Sequence, residues 1–160
     1  MWAVPLADEA ATVALGAALA GLARSGDVFA LDGDLGAGKT TLARAFVRAL
    51  TRPDEDVPSP TFTLVQTYDG AAGPIWHFDL YRIERDVELL ELDIEDAFAT
   101  GISLVEWPAR LGAWMPPVRL DVRLDVAVDG GRRATLAGTG GWPARLRAVL
   151  GEEMDEGVDG

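Results

Sequence analysis

The chain has 160 residues, a length that suits one domain around a single core, and 49% of them are hydrophobic. A formal net charge of -12 opposes autonomous binding to phosphodiester backbones, and the absence of cysteine excludes disulfides, thiolate metal sites and a cysteine nucleophile. No run approaches the roughly 18 uninterrupted apolar residues of a membrane span, and the N-terminus lacks the layout of a secretory signal, so the sequence reads as soluble and cytoplasmic.

From Ala7 to Ala23 the apolar residues Val13, Leu15, Leu19 and Leu22 fall near helical spacing, with Asp8 as the cap. The apolar run from Val28 to Leu31 then ends in a glycine-rich segment, as a buried strand does before a phosphate loop. That segment, Gly33-Asp34-Leu35-Gly36-Ala37-Gly38-Lys39-Thr40, matches the pattern G-x-x-x-x-G-K-[ST], and Thr41 to Leu50 reads as a helix behind it. Strand, loop and helix together make the pattern a site. Its glycines let successive backbone N–H groups converge on phosphates, and the helix aims its positive end at them. Lys39 adds a mobile cation near the β and γ groups, and Thr40 supplies a hydroxyl for magnesium. Lys39 is also the only lysine in an arginine-heavy chain, which points to a specific task.

Thr51 to Pro60 carries three prolines and three acids and reads as a surface loop. A strand is expected from Thr61 to Tyr68, a turn from Asp69 to Pro74, and a returning strand from Ile75 to Tyr81, which together make an antiparallel hairpin. The acidic stretch from Asp86 to Phe98 predicts one or two short helices, and Ile102 to Val105 a buried strand closed by Glu106, Trp107 and Pro108. After Pro116-Pro117, Val118 to Val128 alternates apolar and charged residues, turns at Asp129 to Gly131 and returns through Arg132 to Leu136 as a second hairpin. Residues 1–150 are expected to form one domain, and Gly151 to Gly160 a frayed, acidic tail.

Phosphoryl chemistry also needs acids at the ends of strands beside the loop. Asp79 and Glu106 both occupy such places, and the residues alone do not divide magnesium binding and orientation of the attacking group between them. The competing reading is that each caps a strand or pairs with an arginine such as Arg82 or Arg110. Ser59-Pro60-Thr61-Phe62-Thr63 fits either a switch segment near a γ-phosphate or ordinary turn chemistry. His77 reads as a hydrogen-bonded structural histidine, and Trp107 as a cover for a nucleotide or as plain packing.

The phosphate loop, Ser59-Pro60-Thr61-Phe62-Thr63-Leu64-Val65, His77-Phe78-Asp79-Leu80-Tyr81-Arg82 and Leu104-Val105-Glu106-Trp107-Pro108 occur in an order that resembles the TsaE family. These are the bacterial ATPases of tRNA threonylcarbamoyladenosine biosynthesis, and the resemblance runs from about Thr12 to Arg133. It implies an α/β, P-loop NTPase-like three-layer core whose mixed sheet is extended by antiparallel strands. By motif position, it implies that Gly33, Asp34, Leu35, Gly36, Ala37, Gly38, Lys39, Thr40 and Thr41 bind the nucleotide. Thr40 and Glu106 become the magnesium ligands and Asp79 the acid required for hydrolysis, with Trp107 in the family's functional tryptophan position. Thr12 and Arg132 match positions near the nucleotide. The resemblance further implies slow hydrolysis of ATP with Mg2+, partnership with TsaD and TsaB, and contact with tRNA only through them. A small-molecule P-loop kinase and an ATP-dependent regulatory switch acting through Pro58 to Thr63 are the alternatives. A guanine-specific switch is disfavoured because the chain has no asparagine for the base-reading motif.

Overall fold

The computed structural model describes residues 1–151, so the expected tail lies, beyond Gly151, outside the described residues. Its elements are β1 (Trp2–Leu6), α1 (Glu9–Leu22), β2 (Val28–Asp32), α2 (Lys39–Leu50), β3 (Val65–Gly70), β4 (Gly73–Asp79) and α3 (Val87–Leu90). They continue with α4 (Ile94–Thr100), β5 (Ile102–Glu106), a 3-10 segment (Pro108–Trp114), β6 (Leu120–Val126), β7 (Arg132–Gly138) and α5 (Trp142–Leu150). The seven strands form one sheet in the order β1-β7-β6-β2-β5-β4-β3. β6, β2, β5 and β4 are mutually parallel, while β3 extends one side and β7 and β1 the other in antiparallel fashion.

Parallel strands have to be covered on both faces, which is why β2 and β5 are apolar without alternation. One face carries α1, α2 and α5 through Leu19, Phe29, Leu42, Phe46, Trp142 and Leu146. Phe29 meets Phe46 and Trp142 edge-on at centroid distances of 4.9 and 5.2 Å, and truncating that ring would cost about 3–5 kcal/mol. The opposite face carries α4 and the 3-10 segment through Val28, Phe78, Ile94, Ala97, Val105 and Leu111. The α/β three-layer core and the antiparallel extensions expected from the sequence are both present. α1 lies close on α2: a Cβ on Gly16 would stand 2.6 Å from the Leu42 carbonyl oxygen.

Asp8 caps α1 as expected, accepting the Ala11 N–H at 2.9 Å. Three expectations change. β1 was not foreseen; it pairs with β7 from Trp2↔Leu136 to Leu6↔Arg132, and its Pro5 is tolerated because β1 lies at the sheet's edge. β3 begins at Val65 rather than Thr61, because Pro60 to Leu64 closes into a turn in which the Leu64 N–H donates to the Pro60 carbonyl at 2.7 Å and Leu64 adopts φ 70°. β4 correspondingly stops at Asp79, and the loop between β3 and β4 shrinks to Ala71-Ala72 between the paired Gly70 and Gly73. Finally, the residues from Trp142, left unassigned by the sequence, form α5, which buries Trp142 and Leu146.

Candidate active site

The phosphate loop joins β2 to α2 at the C-terminal end of the parallel strands, where open α/β sheets place their ligands. Gly33 sits at φ +140°, and a Cβ there would collide with the Leu124 backbone oxygen, so the chain can turn only with glycine. Asp32 steadies the entry to the turn: Oδ1 accepts the Gly33 N–H at 2.9 Å and Oδ2 pairs with Arg123 at 3.0 Å. α2 begins at Lys39 with no side-chain cap, leaving first-turn N–H groups for an anion.

Lys39 is only 5% exposed, unusual for a lysine without a dedicated role. Its ammonium donates to the Gly33 carbonyl and, at 3.0 Å, to that of Asp34, and it lies 4.3 Å from the centroid of the Trp107 ring. Burial pulls its pKa below the ordinary lysine value; Glu106, Asp32, Asp79 and Asp34 oppose that pull without overcoming it.

The acids come from adjacent parallel strands. β4 and β5 pair with Asp79 opposite Glu106, and the alternation of strand residues turns His77 and Asp79 to the same side of the sheet as Glu106. Glu106 is 3% exposed, and its carboxylate accepts the Thr40 hydroxyl at 3.2 Å on Oε1 and 3.4 Å on Oε2. His77, fully buried, donates from Nε2 to Glu106 Oε2 at 2.6 Å. Asp79 is 6% exposed and accepts the Tyr81 N–H at 3.0 Å and the Thr61 hydroxyl at 3.2 Å. Thr61 in turn shares a hydrogen bond of 2.8 Å with Ser59. Arg82 stacks over Phe62 and Arg110 donates to the Ile83 carbonyl, so the ion pairs considered for these acids are not what holds them.

Together, Leu35, Lys39, Thr40, Thr61, Asp79, Glu106 and Trp107 line a pocket of about 250 Å³. Trp107 stands at φ 60°, stacked obliquely on Tyr81 at 4.9 Å, with its ring against Lys39. A second pocket of about 250 Å³ lies across the loop, lined by Ala7, Asp8, Thr12, Ala37, Gly130 and Arg132 among others. Gly36, Gly38 and Thr41 border both pockets. Arg132 donates to the Gly36 carbonyl at 3.3 Å, tying the β6–β7 turn to the loop, and Thr12 is buried beneath it. Gly33 and Asp34 line neither pocket and contribute their carbonyls to Lys39.

The structure thus gathers all the expected site residues around one loop, on two sides of it. It adds His77, read from the sequence as structural, and gives Thr61 of the candidate switch segment a definite partner. His77 touches Glu106, and Thr61 reaches Asp79 because it lies in a turn instead of a strand. The period-two alternation His77-x-Asp79 was the available signal for the first. No group of three or more His, Cys, Asp or Glu among the described residues forms a metal cage. One hydroxyl and one carboxylate is instead the oxygen set that suits Mg2+, which takes its remaining ligands from phosphate and water.

Residues 6–134 match the profile of the family described as "Threonylcarbamoyl adenosine biosynthesis protein TsaE". The chain is 40% identical over 131 residues to the tRNA threonylcarbamoyladenosine biosynthesis protein TsaE of Bacillus subtilis, covering 81% of this chain and 80% of that one. It is 38% identical over 136 residues to the TsaE protein of Nostoc sp., covering 82% of each. The crystal structure of Bacillus subtilis YdiB superposes with a TM-score of 0.74 at 31% identity, covering 92% of this chain and 91% of that one. No helix among the described residues is long and apolar enough to cross a membrane. With profile, sequence and fold in agreement over most of its length, the chain belongs to the TsaE family.

Proposed function

We propose that this chain binds ATP with Mg2+ and hydrolyses it in the cytoplasm, in support of the threonylcarbamoyl transferase formed by TsaD and TsaB. The observation that carries the reading is one pocket in which a buried lysine, a hydroxyl–carboxylate pair and a second buried carboxylate converge beside a phosphate loop. In this reading the loop N–H groups and the Lys39 ammonium hold the β and γ phosphates in line. Thr40 and Glu106 hold Mg2+, which when bound neutralises charge on the phosphate oxygens. Asp79 orients the attacking water, and the N–H of Tyr81 and the hydroxyl of Thr61 restrict its rotation. Trp107 and Tyr81 shield the same space from bulk water. Across the loop, Thr12 and Arg132 receive the nucleoside end.

The acidic net charge accords with tRNA held by the partners and not by this chain. A regulatory switch is the second reading, favoured by the bond from Thr61 to Asp79, which links the Pro60–Leu64 turn to the hydrolytic acid. Phosphate release with and without TsaD and TsaB tests the proposal, with mass measurement of candidate acceptors alongside. Turnover raised by the partners supports it. Phosphorylated small acceptors with a rate indifferent to the partners would establish a kinase instead.

A further inference from the structure

Glu106 presents two oxygens, and the proposed metal site needs one of them aimed consistently at the phosphate side. A carboxylate held only by its own side-chain torsions samples several orientations, and each sampled orientation dilutes the metal-binding one. His77 removes that freedom. It sits in β4, two residues before Asp79, fully buried and beyond the reach of solvent. Its Nε2–H donates to Glu106 Oε2 at 2.6 Å, the shortest of the contacts on that carboxylate, while the Thr40 hydroxyl lies 3.2 Å from Oε1 and 3.4 Å from Oε2. With Oε2 occupied from beneath, Oε1 is left facing the hydroxyl with which it would share the cation. β4 and β5 are hydrogen-bonded parallel neighbours with His77 opposite Leu104, so the donor is fixed by the sheet itself and not by a loop. Nδ1 of the ring has no hydrogen-bond partner among the described residues, so the ring's one polar contact is this bond.

We infer that His77 is a positioning residue that sets which oxygen of Glu106 is offered to Mg2+. It touches neither nucleotide nor metal. The inference rests on the Mg2+-ATP reading of the site, and its test separates the two. ATP binding is measured by calorimetry with Mg2+ and with EDTA, for the full-length protein and for His77→Leu, His77→Gln and His77→Asn, each checked for folding by circular dichroism. The quantity read is the gain in affinity that Mg2+ confers. Glutamine carries its amide nitrogen as many bonds from the backbone as Nε2 and keeps the donor; asparagine stops short of it.

Outer partners of a metal ligand typically change metal affinity about 10-fold to 100-fold, so His77→Leu and His77→Asn should lose at least about tenfold of the Mg2+ gain. Their binding in EDTA should stay within about threefold of wild type, and His77→Gln should keep the gain to within about threefold. Should His77→Leu fail to fold, the Gln and Asn variants decide. Equal Mg2+ gains in those two, or losses as large in EDTA, would assign His77 to packing alone and overturn the inference. A wild-type protein that gains nothing from Mg2+ would sink the reading of the site, and His77's role with it; variants matching a Mg2+-responsive wild type sink only His77.

Discussion

The two pockets that share the phosphate loop are equal in volume and opposite in construction. On the side of β4 and β5, the charged lining groups Lys39, Asp79 and Glu106 are nearly fully buried and each is held by named hydrogen bonds. On the side of β1 and the β6–β7 turn, the charged groups lie open to solvent, Asp8 and Glu9 exposed and the carbonyl-bound Arg132 half-buried, among the small residues Ala7, Ala37, Gly130 and Gly131. Fixed charge in a dry place is costly unless it serves chemistry, whereas charge left in water costs little and serves contact. The contrast assigns reaction to the first side and grip to the second, and it can be broken by substitution.

The largest effect belongs to the first side. Lys39→Ala should reduce ATP turnover by about 10³-fold, the scale of losing a preorganised charge beside developing negative charge, as read by phosphate release. Undiminished hydrolysis by the pure variant would end the assignment. Asp79→Asn should lower kcat by about 10²-fold while ATP affinity stays within a few-fold, because a water-orienting acid acts in the reaction and not in binding. An equal loss in binding would move Asp79 to the gripping group.

From the second side, Arg132→Ala should weaken ATP binding by about threefold to tenfold and leave kcat almost unchanged, consistent with one exposed charge-assisted bond of about 1 kcal/mol. A large fall in kcat there would erase the division between the pockets. The smallest effect is on stability. Burial holds the Lys39 pKa below its ordinary 10.5, so between that lowered value and 10.5 the unfolded chain binds more protons than the folded one. Stability without nucleotide should therefore rise with pH across that window, and Lys39→Met should flatten the rise in urea midpoints. A slope of the same size in the variant would place its origin elsewhere.

The two sides were unequally legible in the sequence. Lys39 and Thr40 were legible from the pattern G-x-x-x-x-G-K-[ST], and Asp79 and Glu106 end apolar runs of the kind that identify buried strands whose ends face the loop. Thr61 was legible as a candidate but not in its role, because β-prone residues around it suggest a strand until the Leu64 turn is seen to intervene. His77 was hidden by its own burial: a histidine between apolar residues reads as core, and only the register of β4 against β5 reveals the carboxylate beside it. β1 and α5 escaped for a simpler reason. Five residues with a proline and nine residues after a glycine pair give weak periodicity, and both are stabilised by what they pack against: Trp2 opposite Leu136 with Leu6 in the same core, and Trp142 against Phe29.

Trp107 holds a left-handed backbone that a bulky residue adopts at a cost of about 1–2 kcal/mol, a conformation in which glycine would rest without strain. Trp107→Gly would relieve that strain, but it would also remove the ring's packing on the core and on Tyr81 and free the unfolded backbone, so the variant should melt at a lower temperature. The strained peptide is therefore outweighed by what its ring touches, and the same ring covers the ammonium of Lys39, so stability and turnover should fall together at this one position.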